Sequence, residues 1–347
     1  MELNFRSDNE SPAAPEIMQA LSQANEGTAW SYAEDDWSRA LDRAFSELFE
    51  ATTTVIPIST GTAANSIALA CLTEPWNLVF CHRGAHVFND EGGAPEFFGH
   101  GLRLMPLDGD DGKLRAGTLV DAVNGSEGHG VHSYAAGALT LTQSTEAGTV
   151  YRPDEIAALC AAAGDQGLSV HVDGARFGNA IATLGCAPGA CTVDAGVRMM
   201  SFGASKNGCL AAEALLIFGD GALRERAERL RKRSGHLLSK MRYVSAQLLA
   251  YIDNGLWLRL AAGANAQARR FAEAIAQHPQ ARSEYSVEAN EVFVRWTPAG
   301  FSALETAGMQ FLRWPGDENL ARFVFSHATR AEETAALCEA LASVAPA

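Results

Sequence analysis

No stretch of the chain approaches the roughly 18 uninterrupted apolar residues that mark a membrane-crossing helix. The opening residues, Met1-Glu2-Leu3-Asn4-Phe5-Arg6, lack the basic-then-apolar profile of a secretory signal. A cytoplasmic protein is therefore expected. Basic residues are scarce, with 27 Lys+Arg against 41 Asp+Glu and a formal net charge of −14. Such a balance repels phosphate backbones and anionic lipid, so neither nucleic acid nor a membrane surface is expected as a partner. None of the 7 cysteines is paired in C-x-x-C spacing, and their neighbours are mostly small and apolar. They read as reduced, buried thiols, which excludes a disulfide framework or a structural zinc site. His82 and His86 have ligand spacing but follow a strand and span Gly84, so no metal is expected.

What the chain does contain is apolar sequence, 47% of 347 residues, enough for a packed core and about two or three domains. Short β-rich runs alternate with longer helical ones. Val55–Ile58, Leu78–Cys81, Leu102–Leu107, Ala138–Thr142, Leu168–Val172, Val197–Phe202 and Ala214–Phe218 read as strands, with helices such as 62–72, 153–163 and 176–184 between several of them. This alternation predicts an α/β fold whose mostly parallel sheet is flanked by helices. Strands apolar throughout suit burial on both faces. A basic helical stretch follows from Ala222 to about Ala250, then one more long helix to about Gln277. Strand-like 285–296, 309–314 and 322–327 and a closing helix, 331–344, then predict a smaller C-terminal α+β domain. The boundary is placed near 250, giving a large domain 1–250 and a small domain 251–347.

Three segments could carry chemistry. In Ile58-Ser59-Thr60-Gly61-Thr62 a strand turns into a helix, and the free N–H groups and hydroxyls there form an anion cup. Without a Walker lysine or G-x-G-x-x-G spacing, it is neither a nucleotide loop nor a dinucleotide fingerprint. Asp173, in His171-Val172-Asp173-Gly174-Ala175-Arg176, falls at the carboxyl end of a buried strand, where open sheets place ligands. Lys206 sits in a loop of small residues, Gly203-Ala204-Ser205-Lys206-Asn207-Gly208, which leaves room beside its amine. Each alone has a bland reading: a capped turn, a turn aspartate, a solvated lysine. Together they suit an aldehyde cofactor with a phosphate and a pyridine ring: the cup holds phosphate, the lysine the aldehyde, the aspartate the ring nitrogen.

The order S-x-G-T-x-x-N, H-V-D-G-A-R and S-F-G-A-S-K-N-G resembles the fold-type-I pyridoxal-phosphate enzymes. Within them the chain is similar to the threonine aldolase family of the β-eliminating-lyase group, especially its bacterial low-specificity L-threonine aldolase branch. The likeness runs from Phe5-Arg6-Ser7-Asp8-Asn9 to Arg322. It implies pyridoxal 5'-phosphate bound by Ser59, Thr60, Gly61, Thr62, His86, Asp173, Arg176 and Lys206, with Lys206 as the Schiff-base lysine. His86 would stack on the ring and Glu91 would belong to the same motif. Ser7, Arg176 and Arg322 would lie near the substrate carboxylate, with residues 1–20 close to the active site. Lys232 would reach a phosphate across a subunit interface, because these enzymes assemble as homotetramers, dimers of dimers.

The implied reaction is retro-aldol cleavage of L-threonine, L-allo-threonine and related β-hydroxy-α-amino acids to glycine and an aldehyde. His86, His132 or a water would remove the β-hydroxyl proton. A β-eliminating lyase or a racemase would share the same lysine and aspartate; a binding protein on a retired scaffold would be expected to have lost them. The chain departs from many family members at Thr142-Gln143-Ser144-Thr145-Glu146, at Ser234-Gly235-His236, and at Asp90, where an aromatic residue is common.

Overall fold

A computed structural model describes residues 3–126, 128 and 130–344. The chain opens with β1 (Leu3–Asn4) and two helices, Pro15–Ala24 and Asp36–Phe49. Then come β2 (Thr53–Ile58), β3 (Asn77–His82), β4 (Arg103–Leu107), β5 (Ala135–Thr142), β6 (Ser169–Gly174), β7 (Met199–Gly203) and β8 (Glu213–Phe218). β2 to β8 form one seven-stranded sheet in the order β2-β8-β7-β6-β5-β3-β4. Every residue of β2, β7 and β8 is buried, as all-apolar runs between helical layers require.

All seven strands read from the sequence are present, and one runs against the rest. β8 pairs antiparallel with both β2 and β7. Its direction follows from the connection: residues 204–212 are too few for the crossover helix that joins parallel strands. The consequence is local. The start of β8 lies at the same sheet edge as the ends of its neighbours, beside the Lys206 loop. Gly203 closes β7 where it touches the next loop. A Cβ there would stand 2.4 Å from the Ala175 carbonyl oxygen, so only glycine fits.

The smaller sheet comprises β9 (Arg282–Ser283), β10 (Glu291–Arg295), β12 (Leu312–Arg313) and β13 (Leu320–Val324), in the order β12-β13-β10-β9. β11 (Met309–Gln310) instead pairs parallel with β1. The first residues therefore belong to the small domain: Leu3 and Phe5 are buried in its core with Phe271, Phe301 and Phe323. At the other end of the division, helix Leu256–Ala276 buries Leu256 and Trp257 in the large core and Ala268, Phe271 and Ile275 in the small one. The two cores meet along this helix, a few residues past 250.

An aromatic cluster braces the sheet behind the Lys206 loop. The Phe202 ring lies 5.2 Å from Phe45, 5.7 Å from Trp257 and 6.0 Å from Tyr251, centroid to centroid, in edge-on or tilted contacts. Phe202→Ala is expected to cost about 3–5 kcal/mol of stability, seen as a lower denaturant midpoint at unchanged m-value.

Candidate active site

Helix Gly61–Leu72 is buried on nearly every side, and Thr60 caps it by accepting a hydrogen bond from the Ala63 N–H at 3.3 Å. The first N–H groups of the helix are left for an anion. Nothing lies within 4 Å of where a Cβ would stand on Gly61, so the cup is open. Five residues into the helix, Asn65 points into the protein. Its Nδ2 donates one hydrogen to Glu91 Oε1 at 2.7 Å and the other to Asp173 Oδ2 at 2.9 Å. Asp173 Oδ1 accepts from the Ala175 N–H at 3.0 Å. Two buried carboxylates are thus joined through one amide, which softens their mutual repulsion.

Glu91 also meets His86 Nδ1 at 2.9 Å. That bond raises the His86 pKa, with burial opposing it and the Asp173 and Glu146 charges adding to it. Burial raises Glu91 as well, so the two groups share a proton over a side chain that is itself wholly enclosed. With Nδ1–H given to Glu91, Nε2 is the free nitrogen of His86. Neighbouring His82 has no such freedom: Nδ1 accepts from the Gly84 N–H at 3.0 Å, and Nε2 bonds the Gly109 carbonyl at 3.0 Å.

A cleft of about 1020 Å³ brings together Ser7, His86, Arg176, Lys206 and Arg322, with Asn89, Asp90, Glu146, Tyr285 and Trp314 on its walls. Arg176 is already committed within it. Its Nε and Nη2 donate to Asp8 at 2.8 and 3.1 Å, and Nη1 lies 3.1 Å from Glu291 Oε2. The planar fork expected for a substrate carboxylate is taken by Asp8. Arg322 differs: Nη1 donates to Glu291 Oε1 at 3.3 Å, while its buried Nε has no partner. Burial works against the charge on Arg176, yet Asp8 and Glu291 raise its pKa, and Arg176 in turn lowers that of Asp8 in spite of burial.

His132 lies away from this cleft, and Lys232, expected to reach a phosphate across a subunit interface, faces solvent in the single chain. His132 is exposed in a short turn before the first residue of β5. The cleft residues gather at the far end of the sheet strands, roughly 25 Å away along the eight residues of β5. A loop before a strand opens on the edge opposite the strand's carboxyl end, so His132 is not the base of this cleft. Lys232 is exposed too, its ammonium 5.0 Å from the Tyr32 ring centroid. His236, four residues on, is the one that reaches the cup: its Nδ1 lies 3.0 Å from Ser59 Oγ. Asp8, Asn65, His236 and Glu291 were not singled out from the sequence. Only Asn65, inside G-T-x-x-N, and His236, at a departure from the family pattern, had any local signal.

Comparison with known proteins accords with this geometry. The family model described as beta-eliminating lyase matches residues 4–297. The chain belongs to that family. Curated members include a low specificity L-threonine aldolase from Pseudomonas aeruginosa, 40% identical over 94% of both chains. Another of the same name, from a Pseudomonas species, is 39% identical over 98% of both. A solved threonine aldolase from Leishmania major superposes with a TM-score of 0.91 at 25% identity, covering 98% of each chain. In this beta-eliminating lyase the open cup, the buried Asp173 and the Lys206 loop, all at one sheet edge, fit a phosphate-bearing ring cofactor.

Removing the Asn65 bridge should leave Glu91 and Asp173 facing each other without a shared donor. Asn65→Ala is expected to cost about 1–3 kcal/mol by denaturant titration at pH 8. Because the Glu91 pKa is raised, lowering the pH neutralises it first, so the loss should shrink by pH 5. A loss equal at both pH values would refute the bridging role.

Proposed function

We propose that this protein is a low-specificity L-threonine aldolase, cleaving L-threonine, L-allo-threonine and related β-hydroxy-α-amino acids to glycine and an aldehyde with pyridoxal 5'-phosphate. One observation carries the reading: Lys206, His86 and Arg322 converge on one cleft in a chain about 40% identical, over most of its length, to named aldolases of this kind. When bound, the cofactor supplies an electron sink for the Cα–Cβ bond that breaks.

The chain's own residues do the rest. Ser59, Thr60, Gly61 and Thr62 hold the phosphate at the helix N-terminus. Lys206 holds the aldehyde carbon through its amine. Asp173, held by Asn65, would accept a hydrogen bond from a protonated ring nitrogen and so keep positive charge there. The Arg322 guanidinium, on the cleft wall with the Ser7 hydroxyl, would bind the substrate carboxylate. Arg176 supports that seat through Asp8 and Glu291. Fixing the carboxylate would decide which bond at Cα is presented to the bound cofactor, and so which bond breaks. His86 Nε2 is the group positioned to take the β-hydroxyl proton, with Nδ1 steadied by Glu91. Asn89 and Asp90 give the cleft a polar wall, suited to small hydroxylated side chains.

A homotetramer is part of the same reading. Exposed Met18, Leu210 and Leu238 line a second cleft beside Leu21 and Val244, an apolar surface suited to a copy of the chain. The cysteines are all free, which supports a reducing, cytoplasmic setting.

The direct test is incubation with pyridoxal 5'-phosphate and L-threonine, with assay of glycine and acetaldehyde. Absence of both products, or formation of a keto acid and ammonia instead, would overturn the reading. Arg322→Lys keeps charge but loses the planar fork, so KM should rise roughly tenfold or more. Glu91→Gln removes the carboxylate charge from the bond that raises the His86 pKa. Since the base acts in its neutral form, the acid limb of the kcat/KM profile should then move to lower pH.

A further inference from the structure

Strand order places one acidic side chain where the two halves of the cofactor seat meet. β8 lies between β2 and β7, and its first residue, Glu213, stands opposite Ile58 on one side and Gly203 on the other. Ile58 immediately precedes the cup at Ser59, and Gly203 is three residues before Lys206. Glu213 is buried at 8% exposure, and its Oε2 accepts a hydrogen bond from the Ala204 N–H at 3.2 Å. Ser205 also bonds it, so the carboxyl ties down the loop that carries the lysine. Among the described residues no arginine forms an ion pair with it; the nearby cation is the Lys206 ammonium.

A carboxylate in this seam conflicts with the ligand the cup is built to hold. A phosphate dianion entering at Ser59–Thr62 would face a buried negative charge one strand away. Of the other ionisable groups nearby, buried Arg231 donates through Nη1 to the Pro57 carbonyl at 3.1 Å and forms no ion pair with Glu213. Cys209, in the loop after Lys206, and Tyr251, in helix Arg242–Ile252, are both raised by burial and stay neutral near pH 7. On the β2 side the Ser59 hydroxyl meets His236, whose pKa burial lowers, so that imidazole is neutral as well. The Lys206 ammonium is not given over to Glu213 alone, since it also lies near enough to buried Asp8 to lower that carboxyl's pKa.

We infer that Glu213 is a positioning residue that takes up one proton from solvent as the cofactor's phosphate enters the cup. The protonated carboxyl keeps an oxygen to accept from the Ala204 N–H and so keeps the Lys206 loop in place. What it gives up is the charge that would repel the phosphate. Burial already raises the free carboxyl to about 7, which puts the uptake within a physiological range. The inference rests on the pyridoxal-phosphate reading above.

The test uses the full-length apoenzyme and 4'-deoxypyridoxine 5'-phosphate, which has the ring and phosphate but no aldehyde to react with Lys206. Its affinity is measured from pH 6.5 to 8.5, for the wild type and Glu213→Gln, by calorimetry in two buffers of different ionisation enthalpy. A raised acid is neutral below its pKa and charged above it, so wild-type affinity should fall as pH rises. The wild type is expected to lose about tenfold more affinity than Glu213→Gln over this range, and to take up nearly one more proton at pH 8. The glutamine keeps the side-chain shape and an oxygen acceptor. Equal pH slopes and equal proton counts would overturn the role of Glu213 while leaving the cofactor reading intact. Zero proton uptake by the wild type would overturn it without recourse to a variant. If the wild type binds neither this probe nor pyridoxal phosphate, both readings fall together.

Discussion

Everything at the cleft depends on one enclosed guanidinium. Arg176 is held by Asp8 from the N-terminal segment and by Glu291 from the small domain, while its own backbone starts a helix of the large domain. Three regions distant in sequence are pinned at a single cation. Bringing such charges out of water is costly, and the interaction repays that cost only when each partner is well bonded, as here. Asn290 contributes by donating to Asp8 Oδ2 at 3.0 Å. Removing one partner would strand the others, typically at a cost of about 3–5 kcal/mol. The same cluster also fixes Arg322, because Glu291 Oε1 accepts from its Nη1. A network that reads as structural thereby shapes the place where a substrate carboxylate can sit.

The floor of the site is crowded with carboxyl groups, and each is handled by a different physical device. Asp8 has a forked arginine. Glu91 and Asp173 share an asparagine amide, with histidine beyond Glu91. Glu213 has backbone N–H groups and a raised pKa in place of a countercharge. These solutions are not interchangeable. A forked ion pair holds its carboxylate charged further into acid, an amide bridge matters most while both of its carboxylates are charged, and a lone buried acid responds to pH by itself. Fixed charge is therefore concentrated around Arg176, and proton sensitivity at Glu91 and Glu213.

Much of this was legible in the sequence, for identifiable reasons. Buried strands are apolar throughout, so all seven strands of the large sheet stood out, and strand ends with small-residue loops drew the eye to Asp173 and Lys206. The reversal of β8 was encoded as well, in a connection of only nine residues, 204–212, but loop length speaks to strand direction only once pairing is known. Lone carboxylates such as Asp8, Glu213 and Glu291 carry no local signature; their meaning comes from partners far along the chain. His132 failed as a candidate because local pattern cannot tell which edge of the sheet a loop serves. The division between the two cores runs through helix Leu256–Ala276, which shares its residues between both, and β1 crosses to join β11.

That crossing has a consequence for how the molecule is made. Domains tend to fold as they leave the ribosome, the earlier one first. Here the strand Leu3–Asn4 must wait for Met309–Gln310, and Asp8 must wait for Asn290 and the strand that follows it. The large sheet can assemble during synthesis with its cleft still missing a wall. Docking of an early segment onto a late one then serves as a completion step, so a nascent chain remains without its carboxylate anchor until translation is nearly finished.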